Sequence, residues 1–207
     1  MNYHFERRGK EIERELLGTI KRTHEKVMEQ KRIDSFIEKN RVIADEAAVA
    51  YVKEMQSSNP ENPNRPFANL VRYEIIDDLE NAGMELENED SLKYYTSISP
   101  DPDQETMLDR DLGIDCFFEL TFKGKTYEVS IDITNGKVKG SPKAAIIQDI
   151  PDDFPTHARF DEKKLFDITG VTPDEKKTFY RYTNELSKEV AAKFKKIIAL
   201  TQTPVNT

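Results

Sequence analysis

Two aspartates in one predicted β-hairpin are the residues of this chain best suited to chemistry. The segment from Gly113 to Thr134 alternates apolar and polar side chains on either side of a tight turn at Lys123-Gly124-Lys125. Asp115 lies at the start of the first strand, and Asp132 lies near the end of the second. A hairpin that directs both carboxylates to one point can hold a divalent metal ion against a phosphodiester.

The same alternation predicts the face on which each side chain lies, for strands over Ile114–Phe122 and Thr126–Thr134. The polar face carries Asp115, Phe117, Glu119, Glu128, Ser130, Asp132 and Thr134, and the predicted core face carries Cys116, Phe118, Leu120, Val129, Ile131 and Ile133. Asp132 is flanked by two isoleucines, where an aspartate is disfavoured unless it is paired or binds a cation. Asp132 is therefore the strongest single candidate for a metal ligand. Glu119 and Glu128 are candidates for residues that support the metal ligands without binding the metal, and we call them the outer candidates.

Composition limits the classes of protein to which the chain can belong. Its 207 residues, 37% of them hydrophobic, suffice for one sizeable core plus an appendage. A net charge of -8 argues against a surface that is positive throughout, so any nucleic-acid contact must be local. With one cysteine and 3 scattered histidines, a disulfide and a Cys/His metal site are excluded, and no apolar stretch is long enough to span a membrane. We expect a cytoplasmic protein with no membrane association.

The amino-terminal quarter is predicted to be helical. From about Phe5 to Met55 there is no proline, and charged residues recur at helical spacing, which fits two helices broken near Asn40. Their apolar stripe predicts packing against the rest of the fold, with a coiled-coil or other partner surface as the alternative. The proline-rich segment 57–66 marks a boundary. We therefore predict three parts: an N-terminal helical extension (1–56), a core domain (67–200) and a flexible tail (201–207).

Beyond the boundary, local signals predict further elements. A helix is predicted over Phe67–Asn81, followed by an acidic loop from Glu85 to Asp111 that contains one short strand near Leu92–Ile98. After Thr134, Asn135-Gly136 favours another hairpin, whereas Ser141-Pro142 favours a helix through Ile150, and a short strand allows both. A capping box at Thr172 begins a last helix that runs to about Leu200 and packs on the sheet.

The order of acidic residues resembles that of the PD-(D/E)xK nuclease superfamily. In that family a helix bearing a Glu precedes a hairpin whose first strand starts with an Asp, often as Gly-Ile-Asp, and whose second strand ends in an acid, any residue, then Lys. Here Glu74 lies on the helix Phe67–Asn81, Asp115 follows Gly113-Ile114, and Asp132 takes the place of the second acid. The resemblance covers about a third of the chain and departs from the family at Thr134, which replaces the Lys.

The resemblance implies a fold, a cofactor and a set of site residues. The implied fold is α+β, with a restriction-endonuclease-like mixed sheet flanked by helices. The implied cofactor is Mg²⁺ or Mn²⁺, held by the carboxylates of Glu74, Asp115 and Asp132 and by the backbone carbonyl of Ile133. The implied activity is metal-dependent hydrolysis of phosphodiester bonds in DNA, in which Asp115 and Asp132 are catalytic.

The missing lysine leaves two interpretations of the site. If Asn135-Gly136 makes a two-residue turn, Thr134 faces Lys137 and Asp132 faces Lys139, so that either lysine can steady the attacking water. The other interpretation of this geometry is a cross-strand ion pair on a solvated face. Besides the nuclease, the sequence allows a protein that kept the fold, lost catalysis and binds another protein, or an unrelated acidic adaptor. DNA is the expected partner, with a homodimer or protein contact through the N-terminal helices.

Overall fold

A mixed four-stranded sheet carries the hairpin at its centre in the computed structural model, which describes residues 3–21, 26–101, 103–134, 141, 143–151, 153–161 and 167–202. Its strands are β1 Leu92–Thr96, β2 Cys116–Phe122, β3 Lys125–Thr134 and β4 Ile146–Asp149, and a separate two-stranded ladder joins β5 Arg159–Phe160 to β6 Ile168–Thr169. The helices are α1 Tyr3–Leu17, α2 Lys26–Asn40, α3 Ala44–Glu54, α4 Pro66–Asn81, α5 Met107–Leu112 and α6 Pro173–Gln202. The chain thus has the predicted α+β class.

The sheet has the order β1-β2-β3-β4, antiparallel between the first three strands and parallel between β3 and β4. The predicted hairpin is confirmed, and Phe122 pairs with Lys125 across a two-residue turn. Lys123 and Gly124 both adopt positive φ, 50° and 72°, as a turn of type I′ requires. Because this turn matches the twist of the flanking strands, it fixes the register that places Cys116 opposite Ile131.

The two faces of the sheet pack against different helices. The predicted core face is confirmed, and it packs with α1, α4 and α6 around Phe67 and Phe179, whose rings meet edge to face at 5.9 Å. The opposite face packs against α2, α3 and α5, where the rings of Tyr95 and Phe117 stack at 5.0 Å. Helices on both faces exclude water from the centre of the sheet.

The amino-terminal region forms three helices rather than two. The predicted break at Asn40 is present, and a second break follows α1 at Gly18, whose φ of 77° favours glycine. Ile12 and Leu16 of α1 are buried in the same core as α4 and the sheet. The apolar stripe of α1 therefore serves the packing of this chain, and α1 is continuous with the core rather than an appendage to it.

Two segments adopt structures other than those predicted. The acidic stretch expected to be a loop contains the predicted strand β1 and also the helix α5, which Thr106 caps by accepting a hydrogen bond from the Asp109 N–H at 3.2 Å. The helix predicted from Ser141 to Ile150 is wrong, since Ile146 begins β4 and is buried against β3. An apolar run fits either element, and the unpaired edge of β3 selects the strand.

The last helix is confirmed with its predicted cap. The Thr172 backbone N–H donates to Glu175 Oε2 at 2.8 Å, and the Glu175 N–H donates to Thr172 Oγ1 at 3.3 Å. The buried face of α6 includes Phe179, Leu186 and Phe194. Among the described residues, no helix combines the length and apolar character that a bilayer span requires.

Candidate functional site

Asp115 is held by its backbone and by its side chain. It is only 4% exposed and lies between the end of α5 and the start of β2. Its N–H donates to the Ile131 carbonyl, and its carbonyl accepts from the Ser97 N–H, each at 2.9 Å. Its carboxylate Oδ2 accepts from the Ile133 N–H at 2.6 Å. These bonds fix the carboxylate of Asp115 against the end of β3.

Asp132 meets Asp115 at that end of β3. Ile131 and Ile133 point into the core, so the side chain of Asp132 is directed to the opposite face, where it is half-buried. Its Oδ2 accepts a hydrogen bond from the Ser141 N–H. Burial raises the pKa of Asp132, and a hydrogen bond with Asp115 is among the contacts that oppose this rise, so the two carboxyl groups are in contact. The structure therefore brings together the two aspartates of the predicted hairpin site.

Two further acids, on different helices, interact with this pair. Glu13 lies on α1, and burial with repulsion from Asp109 and Asp132 raises its pKa to about 7. Asp109 lies on α5, and burial with repulsion from Glu105 and Asp132 raises its pKa to about 7 as well. We refer to Glu13, Asp109, Asp115 and Asp132 as the carboxylate cluster.

Burial and charge repulsion dominate the titration of the cluster. Burial raises the pKa of Asp115 well above its usual range, and repulsion from Glu13 and Asp109 raises it further, against the opposing hydrogen bond from Ile133. The pKa of Asp132 also remains raised by burial, although the Ser141 N–H opposes the change. These acids therefore retain protons up to a higher pH than isolated carboxyl groups do, which is the expected behaviour of desolvated like charges without a compensating cation.

Two basic side chains of α1 lie beside the cluster. The Lys10 ammonium group forms an ion pair with Glu105, and Arg14 Nε donates to the Ser99 carbonyl at 3.1 Å. Burial raises the pKa of Glu13 and of Asp109, and both cations oppose that rise. The cluster thus has basic neighbours, but they do not offset the upward pKa shifts of its acids.

The other acids considered for the site lie elsewhere. Glu74 was the predicted third metal ligand, but its carboxylate accepts hydrogen bonds from Thr183 at 3.2 Å and from Ser187 at 3.1 Å, at the contact of α4 with α6. The structure does not bring it to Asp115. Glu119 and Glu128, the outer candidates, both form ion pairs with Lys53 of α3, which joins that helix to the hairpin.

The remaining predicted site groups have different outcomes. Ile133 is adjacent to the cluster, where its N–H is the donor to Asp115; its carbonyl stays a predicted ligand. Lys137 and Lys139, predicted to replace the missing lysine, lie outside the described residues. Thr134, which stands at the lysine position, has its hydroxyl 3.5 Å from Asp149 Oδ1.

Sequence reasoning missed Glu13 and Asp109 for separate reasons. Glu13 is one of many acids in a charged helix, and Asp109 lies in the stretch predicted to be a loop. One signal could have indicated Glu13, because it stands next to Ile12 at the edge of the apolar stripe that buries α1.

The cluster is not arranged as a closed ligand set. Within the described ranges, no group of three or more His, Cys, Asp or Glu side chains is placed to hold a metal ion. Asp115 and Asp132 are in contact, and Glu13 and Asp109 act on them through charge. The donor chemistry nevertheless fits Mg²⁺ or Mn²⁺, which prefer carboxylate oxygens and retain water, and a cation relieves the repulsion that raises these pKa values. Asp115 and Asp132 are the residues that would hold it.

No protein-family model, curated protein or solved structure matches the chain.

Proposed function

We propose that the protein is a Mg²⁺-dependent DNA endonuclease that hydrolyses phosphodiester bonds at the carboxylate cluster. The observation that carries the proposal is the contact between Asp115 and Asp132, of which Asp115 is anchored by the Ile133 N–H and Asp132 by the Ser141 N–H. A mixed sheet with helices on both faces and an acidic residue on a preceding helix agree with the resemblance to PD-(D/E)xK nucleases. The restriction-endonuclease-like fold is part of this proposal.

The four residues of the carboxylate cluster have different roles in the proposed reaction. Asp115 and Asp132 would hold Mg²⁺, which when bound would supply Lewis-acid chemistry toward the phosphate and the attacking water. The backbone N–H groups that bind these two carboxylates keep the ligand oxygens in place before substrate binds. Glu13 and Asp109, the two acids of the cluster that do not hold the ion, would accept the proton that the water loses.

Hydrolysis adds one water molecule across the phosphodiester. The water oxygen forms a bond to phosphorus, and the bond from phosphorus to the leaving sugar oxygen breaks. One proton of the water passes to a carboxylate of the cluster, and the leaving oxygen takes a proton from solvent. The products are a phosphomonoester and a free hydroxyl group, and no residue of the chain is covalently modified.

The proposal is tested by cleavage of single-stranded and double-stranded DNA with Mg²⁺ and with Mn²⁺. We expect Asp132→Asn to reduce the single-turnover rate by about 10³-fold or more, because a neutral amide binds a hard cation weakly. Asparagine can still accept the hydrogen bond from Ser141, so the fold should persist, which circular dichroism checks.

Glu74→Gln is the matched control for that experiment. It also removes one partly buried carboxylate, but at the contact with Thr183 and Ser187, so cleavage should stay near the wild-type rate. Absence of cleavage by the wild-type chain under every condition would contradict the proposal. It would favour instead a protein that retains the fold and acts by binding another protein, consistent with Thr134 in place of the lysine.

A further inference from the structure

The proposed reaction needs positive charge that the lysine position cannot supply. At the transition state a phosphate of increasing negative charge lies against a cluster that already contains Asp115, Asp132 and two further acids. One divalent cation does not neutralise this total. The residue at the expected position, Thr134, has a neutral side chain whose hydroxyl lies beside Asp149. Among the described residues, the cation has to come from another part of the chain.

Lys53 is a basic side chain on this face of the hairpin, but it is already engaged in other contacts. Lys53 is held by Glu119 and Glu128 and lies over the rings of Tyr95 and Phe117. These ion pairs connect α3 to the sheet, so Lys53 has a structural role.

Lys143 is likewise directed away from the aspartates. Its ammonium group donates to the Asp111 carbonyl at 3.3 Å, at the exposed end of α5.

Lys10 is placed differently. It precedes Glu13 by one helical turn on α1, so the two side chains share a face. Its ammonium group pairs with Glu105, which directly precedes Thr106, the N-cap of the helix that carries Asp109. Lys10 therefore spans the gap between the two helices that contribute Glu13 and Asp109 to the cluster. Its side chain is 34% exposed, so a substrate phosphate can reach it.

Arg14, the other cation of α1, has a more restricted role. It lies one residue beyond Glu13, and its Nε donates to the Ser99 carbonyl at 3.1 Å. That bond fixes the guanidinium group to the segment after β1, whereas a lysine ammonium on a flexible stem can exchange one anion for another. Of the four described cations compared, Lys10 is thus the one best able to exchange its partner for a phosphate.

We propose that Lys10 is a catalytic residue of the endonuclease, which exchanges its ion pair with Glu105 for the reacting phosphate and stabilises the charge that develops there. This inference rests on the proposed function. Lys10 keeps its protons throughout and acts through charge, while the water loses its proton to the carboxylate cluster. Glu105 serves as the resting partner of the ammonium group.

Two variants separate this role from a structural ion pair. Lys10→Met removes the cation, and we expect the single-turnover cleavage rate to fall about 100-fold. Glu105→Gln removes the same ion pair but leaves the cation, and its rate should stay within about threefold of wild type or increase. Lys93→Met is the matched control, because Lys93, on β1, forms a similarly exposed ion pair with Glu61.

Metal affinity provides a readout that does not depend on cleavage. Because Lys10 repels a cation in the cluster, Lys10→Met should bind Mn²⁺ as tightly as wild type or more tightly, measured by calorimetry. Weaker Mn²⁺ binding, equal rate losses in Lys10→Met and Glu105→Gln, or an unchanged rate in Lys10→Met would each overturn the inference. An inactive wild-type chain would overturn the proposed function, and this inference with it; an active wild type with an equally active Lys10→Met overturns this inference alone.

Discussion

Raising the pH from about 5 to about 8 in the absence of divalent cations is expected to destabilise the protein by several kcal/mol. The pKa of Glu13 and that of Asp109 are each raised to about 7 by burial and by repulsion from neighbouring acids. Carboxyl groups with raised pKa values are protonated in the folded state and ionised in the unfolded state over this range, so the folded state loses stability as the pH rises from the unfolded pKa near 4 through 7. When the folded pKa exceeds the unfolded pKa by one, the folded state loses about 1.4 kcal/mol, and because the groups repel each other their contributions do not add.

Urea denaturation as a function of pH measures this effect, and one pair of variants isolates it. Asp109→Asn removes one of the repelling charges and should raise the free energy of unfolding at about pH 8 by on the order of 2 kcal/mol, which flattens the pH dependence. Asp111→Asn is the matched control on the same helix, because Asp111 is exposed beside Arg110, which holds its pKa below the usual value. It should leave the slope unchanged, and an equal flattening by both variants would refute the cluster as the cause.

Divalent cations should reverse the loss. A ligand that binds only the folded state raises the apparent stability, and Mg²⁺ binds ionised carboxylates. We expect Mg²⁺ to raise the melting temperature at about pH 8 and to have little effect at about pH 5, where Glu13 and Asp109 are protonated. A change of equal size at both pH values would indicate binding elsewhere.

Replacement of Gly113 by alanine is expected to have the second large effect. Gly113 ends α5 with φ 59°, and a Cβ there would lie 2.5 Å from the Ser141 Cβ and 2.9 Å from its Oγ. Ser141 cannot move freely, because its Oγ donates to the Leu112 carbonyl at 2.6 Å and its N–H donates to Asp132. An alanine at this position therefore has to adopt a strained left-handed conformation. Its Cβ also displaces Ser141, the residue that anchors Asp132.

We expect Gly113→Ala to cost about 3 kcal/mol or more in the free energy of unfolding and to abolish cleavage. The matched control is Gly83→Ala, at the end of α4, where φ is 80° and no atom lies within 4 Å of the added Cβ. That variant suffers only the conformational cost, about 1 kcal/mol, and should retain activity. Equal losses of stability in the two variants, measured by urea denaturation, would show that the approach of Ser141 is not what matters.

The elements predicted correctly are those with strong local signals. The hairpin turn at Lys123-Gly124, the apolar spacing of α4 and the capping box at Thr172 each lie within a few residues of the structure they determine. The elements missed are short ones whose conformation depends on distant partners. Strand β4 exists because Ile146 pairs with Ile131, and α5 is anchored where the Thr106 hydroxyl donates to the Ser97 carbonyl.

The residues of the site likewise include some that the sequence could predict and some that it could not. Asp115 and Asp132 could be predicted to converge, because strand alternation on both sides of a tight turn places them on one face of the same hairpin. Glu13 could not, since it is more than a hundred residues from Asp132 in sequence and reaches it only through the packing of α1 on the core. Glu74, on the helix that seemed to fit the resembled family, is instead held by Thr183 and Ser187 of α6. Glu13 stands next to the buried Ile12 and Glu74 next to the buried Ile75, so this local signal does not distinguish the two glutamates.

The most direct test of the central claim is anomalous diffraction from a crystal soaked in Mn²⁺ at about pH 8, above the raised pKa values of Glu13 and Asp109, which are about 7. Our account predicts one strong anomalous peak between the carboxylates of Asp115 and Asp132, and its loss in Asp132→Asn crystals. Ordered Asp115 and Asp132 side chains with no peak between them, or a peak unaffected by the substitution, would contradict it.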